Sequence, residues 1–404
     1  MKKLIVLLVL CLTFSCVNTE KNVLIEGNYI GLIETKDHQQ LPFNFKVTSA
    51  NTLEVYNAEE VIEVYEITYR NDSVYIKMPV FEGYLSAKIS NNQTLNGFFI
   101  KESEDRITKF SAHIGSKRFK THNEEPTVNV DGIWETVFSK HIADDEYMAK
   151  AIFKQDESKV TGTFRTTTGD YRYLEGIVDG DSLKLSTFDG AHAFLFLAKV
   201  SDSMLNGIFY SGNHWKEPFE ATRNPSFELT NANELTYLKE GYDSFNFSFP
   251  NSEGNYVSLR NDQFHNKVVV VQIMGTWCPN CLDESKYYAN FYNENKNEDL
   301  EFVALAFEYA KTEQKAFDRI NRLKEKIDIS YPILLAQYGS SSKEKAQEKL
   351  PMLNHVLSYP TTIFIDKKGN VRKIHTGFNG PATGDKYTEF IEEFETFVDS
   401  LLAE

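Results

Sequence analysis

Eight residues, "KVVVVQIM" at 267–274, constrain the fold more than any other stretch of this 404-residue chain. A near-continuous β-branched run has no polar face to turn to water, so it must be a strand in a sheet covered on both sides. The sequence around it supplies the cover. Residues 279–295 read as helix, "LEFVALAF" as strand, and 312–326 as helix with apolar Phe317, Ile320 and Leu323. "YPILLA" is a strand and 343–350 a short helix; "TTIFID", the turn "KKGN" and "VRKIHTG" form a hairpin, and 386–402 is a closing amphipathic helix. This order implies an α/β layer fold for residues 242–404.

Residues 24–225 have another texture. "LPFNFKV", "DSVYIKMPV" and "LSAKISNNQTLNGFFI" alternate apolar and polar positions and break at Asn, Asp and Gly, as half-buried antiparallel strands do. The region is also duplicated. "EGNYIG" at Glu26 matches "DGIWET" at Asp131, "AKIS" at Ala87 matches "AKVS" at Ala198, and "LNGFF" at Leu95 matches "LNGIF" at Leu205, in one order and about 105 residues apart. Two similar β units are expected, 24–122 and 126–225, followed by a linker at 226–241 that has room for one helical turn. Their aromatics, Tyr29, Phe43, Phe45, Tyr75, Phe81, Phe98, Phe99, Trp134, Phe164, Phe188, Phe194 and Phe196, read as core rather than as a pocket for an apolar ligand. His141, His192 and His214 lack the spacing of metal ligands.

With a formal charge of −15 the chain has no basic stripe to displace counterions from a nucleic acid, so no nucleic-acid partner is expected. Residues 1–16, "MKKLIVLLVLCLTFSC", place Lys2 and Lys3 before a short apolar run, as an export signal does. Its end on Ser15-Cys16 resembles the lipobox of bacterial lipoproteins, although Thr13 and Phe14 depart from the commonest pattern. That resemblance implies lipid on Cys16 and membrane attachment through it. No other segment has the ~20 apolar residues of a membrane helix.

Once the signal is removed and Cys16 modified, two thiols remain, Cys278 and Cys281 in "GTWCPNCLDE" at 275–284. Zinc would ask for a second Cys pair or a nearby His pair, which the chain does not offer. A structural disulfide closing so short a loop would remove little unfolded-chain entropy. A redox pair explains the position. The cysteines follow a buried strand and open a helix, where unpaired N–H groups and the helix dipole favour a thiolate at Cys278. Cys281, one turn further on, can then resolve a mixed disulfide, and Pro279 is tolerated in the first turn.

From these residues, with "SYPTTIFIDKKGNV" downstream, residues 242–404 resemble the thioredoxin superfamily, and within it the exported thiol-disulfide oxidoreductases of the TlpA and ResA type. The implied fold class is an α/β thioredoxin-like domain preceded by a mainly β region of two similar repeats. The resemblance implies Cys278 as nucleophile, Cys281 as resolving thiol, Pro360 as the cis-proline facing them, Tyr359 as the residue whose backbone pairs with substrate, and Trp277 as the shield beside the sulfurs. Glu284, three residues after Cys281, matches the carboxylate that such proteins place beneath the pair to take the proton of Cys281. Gln272 stands where many thioredoxins carry a buried aspartate, and Met274 where an aromatic is usual. Peroxidases of related fold use one cysteine in a Pro-x-x-x-Thr-x-x-Cys setting, which "TWCPNC" does not match. No cofactor is called for. The expected partners are disulfides of exported proteins, apocytochromes among them, and a membrane electron donor; the expected place is the periplasm-facing cell envelope. The other functional reading is a ligand- or protein-binding lipoprotein whose β region is the working part.

Overall fold

The computed structural model describes residues 23–90, 92–121 and 125–404. The signal-like segment and Cys16 lie outside them. Among the described residues no helix is long and apolar enough to cross a membrane.

The N-terminal region is two antiparallel sheets of nine strands each, both running up and down in chain order. In the first, the strand Gly27–Glu34 pairs with Arg106–Ile114, which curls the sheet. It stays open, because its two edges are the consecutive strands Glu60–Val64 and Glu66–Arg70, separated by Tyr65 alone. The second sheet closes into a barrel, since Tyr147–Asp156 pairs with Lys159–Thr166 as well as with Gly132–Phe138. A short extra strand, Gly169–Asp170, folds back on Lys159–Thr166.

The duplication has a structural counterpart at one cross-strand pair. Ala87 faces Gly97 in the first sheet and Ala198 faces Gly207 in the second. Both glycines are required by close approach: a Cβ on Gly97 would sit 1.9 Å from Ser86 O, and one on Gly207 would sit 2.6 Å from the Phe219 ring. The interiors are filled. Trp134, Phe138, Phe164 and Phe196 are completely buried, and the rings of Phe164 and Phe196 are 4.7 Å apart. Phe98 differs from the core reading and is 46% exposed. Its neighbour Phe99 takes the inward position of the alternating strand, which sends Phe98 to the solvent face opposite Lys109.

The two sheets share core rather than merely touch. Phe188 of the second lies among Phe43 and Phe99 of the first, at 4.4 and 5.1 Å between ring centroids. Asn57 reproduces a strand pairing at the seam, donating to Phe188 O at 2.9 Å and accepting from Phe188 N at 3.1 Å. Arg118 is buried there, donating to Asn44 Oδ1, Ser186 O and Tyr56 O.

The C-terminal domain is a five-stranded sheet in the order Ile333–Gln337, Leu300–Phe307, Val268–Met274, Thr361–Ile365, Val371–Thr376. The first three strands are parallel and the last two antiparallel to their neighbours. Every residue of Val268–Met274 is buried, as a central strand between helical layers requires. Four helices surround the sheet, α1 (Pro279–Glu294), α2 (Glu313–Lys326), α3 (Lys343–Lys349) and α4 (Asp385–Leu402). Helices α1 and α4 meet through Tyr287, Tyr288 and Phe291 against Phe394 and lie on Phe302 and Phe364 of the sheet. Residues 226–241 form turns and no helix, and they are stitched to this domain: Lys239 N donates to Met352 O at 2.8 Å and Thr376 N to Ala232 O at 3.0 Å.

Replacing Arg118 by methionine leaves the Tyr56 and Ser186 carbonyls without their donor at a buried seam. The expected cost is ~3 kcal/mol, read as a lower urea midpoint; an unchanged midpoint would show that water satisfies these carbonyls as well as the guanidinium does.

Candidate active site at the start of helix α1

The buried strand Val268–Met274 ends at Gly275, and the chain turns into α1 with Cys278 as its N-cap residue. A Cβ on Gly275 would fall 2.3 Å from Nε1 of Trp277, so glycine is needed for the indole to fold back over the turn. Cys278 Sγ accepts from the Cys281 N–H at 3.2 Å, filling the place where a capping oxygen usually binds a free helix amide. Both cysteines are free thiols, and Cys278 also donates through sulfur to Tyr359 O at 3.3 Å. Cys281 is completely buried. Burial pushes its thiol well above the usual range, with the bond to Cys278 and the charge of Glu284 acting in the same direction. Cys278, by contrast, is slightly exposed and receives the helix amide.

Three further groups shape this turn. Trp277 donates from Nε1 to Phe307 O at 2.9 Å and stands edge-on to Tyr359, 5.5 Å between ring centroids. The Tyr359–Pro360 peptide bond is cis, and Tyr359 O lies 3.3 Å from the Cys278 sulfur. Glu308, completely buried at the end of the strand Leu300–Phe307, accepts from both the amide and the hydroxyl of Thr276 at 2.7 Å. Its burial raises the carboxyl pKa, while the Thr276 bonds oppose this. Glu308 escaped the sequence reading; the available signal was a carboxylate directly after an apolar strand.

Beneath the pair lies Glu284, also completely buried. Gln272 donates to its Oε2 at 2.8 Å and Thr362 to its Oε1 at 3.0 Å, with the Tyr288 hydroxyl 3.2 Å from the same oxygen. Burial pushes the carboxyl up to about 7, and these hydrogen bonds limit the rise. Gln272 thus touches Glu284 directly: where an aspartate would add a second buried charge, the amide holds the one carboxylate in place. Ser285 donates to Gln272 Oε1 at 3.1 Å and so fixes which end of the amide faces the acid.

The N-terminal region also reaches this site. Arg172 of the second sheet is buried against α1, donating to Pro279 O at 3.2 Å and to Asp283. Asn280 donates to Asp170 O at 3.1 Å. Neither Arg172 nor Asp283 stood out in the sequence, since an arginine between two tyrosines carries no motif. His192 and His214 line a cavity of about 250 Å3 together with Trp277. Among the described residues no three His, Cys, Asp or Glu side chains cluster as metal ligands. The lipidation expectation at Cys16 lies outside the described residues.

The redoxin family matches residues 239–389. Over 140 residues the chain is 27% identical to the thioredoxin-like protein YneN of Bacillus subtilis, covering 35% of this chain and 73% of that protein. Over 160 residues it is 27% identical to the thiol-disulfide oxidoreductase ResA of Halalkalibacterium halodurans, covering 39% and 81%. Among solved structures, a thiol-disulfide oxidoreductase from Bacteroides fragilis is 20% identical with a TM-score of 0.27, covering 37% of this chain and 99% of that one.

Glu284 gives a test with a definite sign. Its pKa in the folded protein, about 7, lies above the ordinary 4.5, so folding favours the protonated form. The contribution is fully present below pH 4.5 and is lost as pH rises through 7, a fall of roughly 3 kcal/mol. In Glu284→Gln this fall should vanish from the difference between urea unfolding curves at pH 5 and pH 8. Parallel changes in the two proteins would show that the carboxyl is not held protonated by burial.

The chain therefore carries, in residues 239–389, a redoxin domain of thioredoxin-like fold and thiol-disulfide oxidoreductase type, behind an N-terminal region of two β sheets.

Proposed function

We propose that the protein reduces or exchanges disulfides of exported proteins through Cys278-Pro279-Asn280-Cys281, from the periplasm-facing cell envelope, where lipid on Cys16 attaches it. The observation that carries this reading is the pairing of an N-cap thiol with a buried acid: Cys278 Sγ receives the Cys281 amide, while Glu284, one turn along the helix, has a pKa near neutrality. The filled interiors of the β sheets speak against the alternative in which they enclose a ligand.

In the reductive direction the Cys278 thiolate attacks one sulfur of the substrate disulfide. That S–S bond breaks, and the second substrate sulfur leaves as a thiolate that takes a proton. Glu284 as carboxylate then removes the proton of Cys281, whose sulfur attacks Cys278. The first substrate sulfur is released, and the enzyme keeps a disulfide in place of two thiols. Two electrons and two protons have passed to the substrate, and a dithiol donor, expected in the membrane, must restore them. With its pKa near neutrality Glu284 can both take and return that proton.

The direction is tested by equilibrating the Cys278–Cys281 couple with a thiol buffer of known potential. A value near the roughly −270 mV of thioredoxin is expected, whereas one near the roughly −120 mV of strong oxidants would overturn reduction in favour of disulfide formation. Cys281→Ser should accumulate a mixed disulfide on Cys278 that mass spectrometry detects, and Cys278→Ser should not; trapping on neither would remove the redox reading.

A further inference from the structure

The short hairpin of the second sheet at residues 165–172 is seated on three segments of the C-terminal domain, two of which carry residues that touch the thiol pair. From the loop between the cysteines, Asn280 donates to Asp170 O at 3.1 Å and Pro279 O accepts from Arg172 at 3.2 Å. From the cis-proline loop, Ser358 Oγ donates to Thr168 O at 2.8 Å. From the loop after the strand Val371–Thr376, Gly380 N donates to Asp170 Oδ2 at 2.6 Å, and Asn379 Oδ1 accepts from Arg165 at 2.9 Å. Thr168 closes the turn and Asp170 lies on the short strand that follows, so the hairpin presents the main-chain carbonyls of its tip to the redox domain. An extended polypeptide added beside Tyr359 would offer the same kind of group.

Main chain meets main chain here because each body supplies a glycine. A Cβ on Gly169, at φ +146°, would lie 2.0 Å from Asn280 Nδ2 and 3.2 Å from Phe378 O. A Cβ on Gly377, at φ +78°, would lie 2.7 Å from the Thr168 carbonyl carbon. Arg172 locks the arrangement from behind. It is buried and pairs with Asp283 of α1, with Glu60 of the first sheet and with Asp189 of its own sheet. With the hairpin seated, Cys278 is 6% exposed, and its neighbour Trp277 lines the adjoining cavity of about 250 Å3.

We propose that residues 165–172 are the specificity-determining wall of the redox centre: they occupy the place where a polypeptide would lie, so small disulfides react with the seated form and protein disulfides only when the hairpin lifts. This rests on the oxidoreductase reading. In either case one substrate S–S bond is reduced to two thiols while Cys278 and Cys281 are oxidised to a disulfide, so a pre-reduced enzyme needs no other reductant for one turnover.

The test is single-turnover stopped flow, with pre-reduced full-length protein mixed with a small aromatic disulfide or with insulin. The quantity read is the ratio of the insulin rate to the small-disulfide rate, in wild type, Gly169→Val and Arg172→Ala. Both variants should raise that ratio by about tenfold or more, because lifting a wall discriminates by size. An unchanged ratio, including an equal rise of both rates, would overturn the proposal, and a lower ratio would show that the hairpin helps to bind protein substrates. Arg172→Ala strands buried carboxylates and can fail to fold; Gly169→Val leaves the buried charges in place, adds a clash and backbone strain at the tip, and then decides the matter, with hydrogen exchange at 165–172 reporting whether the hairpin has lifted. Absence of reaction with both disulfides in every protein would sink the oxidoreductase reading instead.

Discussion

A buried guanidinium is the constraint on which the arrangement of the whole molecule depends. Arg172 is 3% exposed, and a charge so placed must be paired and hydrogen-bonded or it is not tolerated. Its partners come from three parts of the chain: Glu60 from the first sheet, Asp189 from the second and Asp283 from helix α1. Burial pushes the Asp283 carboxyl up to about 6 even with Arg172 beside it. Asp189 is also opposed by burial, yet His192 and Arg172 hold it down at about 2. One cation thus joins acids of unequal readiness to ionise from three parts of the chain. The redox domain is consequently not a bead on a string. Helix α2 adds Arg319 on Glu82 and Arg322 on Glu66, so the first sheet is bound along a second face.

The same logic, a charge buried only where hydrogen bonds receive it, operates closer to the thiols. Glu308 and Glu284 are both completely buried, but their surroundings differ. Glu308 takes two bonds from Thr276 and fixes the turn that carries Trp277 and Cys278. Glu284 takes bonds from Gln272 and Thr362, with no cation among the causes acting on it, and its pKa consequently lies close to neutrality. The two acids also differ in position: Glu284 shares helix α1 with Cys281, while Glu308 holds the amide and hydroxyl of Thr276, two residues before Cys278.

Much of this was legible in the sequence wherever a periodicity or a local motif carried the information. The run at 267–274 is the central strand because seven consecutive buried positions leave no other choice. The helices follow from apolar spacing and caps: Thr312 receives the Lys315 amide and Ser342 the Lys345 amide. The place of Cys278 at a helix start was readable because that position is set by adjacent residues alone. What the sequence did not show is long-range and polar. Arg172 is 111 residues from Asp283 and 112 from Glu60, and no local pattern marks an arginine that will be buried at such separations. Whether each sheet would close was equally hidden, since it depends on whether Lys159–Thr166 finds a second neighbour in Leu174–Asp179. Phe98 shows the limit of composition: an aromatic on an alternating strand packs or not according to which neighbour takes the inward place.

The duplication itself explains how a clamp of this kind can arise. In the first sheet a two-residue turn joins the strand ending at Asn57 to the one starting at Glu60; in the second, another joins the strand ending at Thr166 to the one starting at Gly169. Both positions are 109 residues apart, inside the spacing of the repeated segments, so the two hairpins occupy equivalent places in their units. They are now used differently. The first offers Glu60 to Arg172 and Asn57 to the Phe188 backbone, binding sheet to sheet. The second carries Gly169 and Arg172 to helix α1, binding sheet to redox domain. Because both converge on one guanidinium, lifting the second hairpin must also disturb the first. Access to Cys278 is therefore coupled to the packing of the entire β region rather than to one loop.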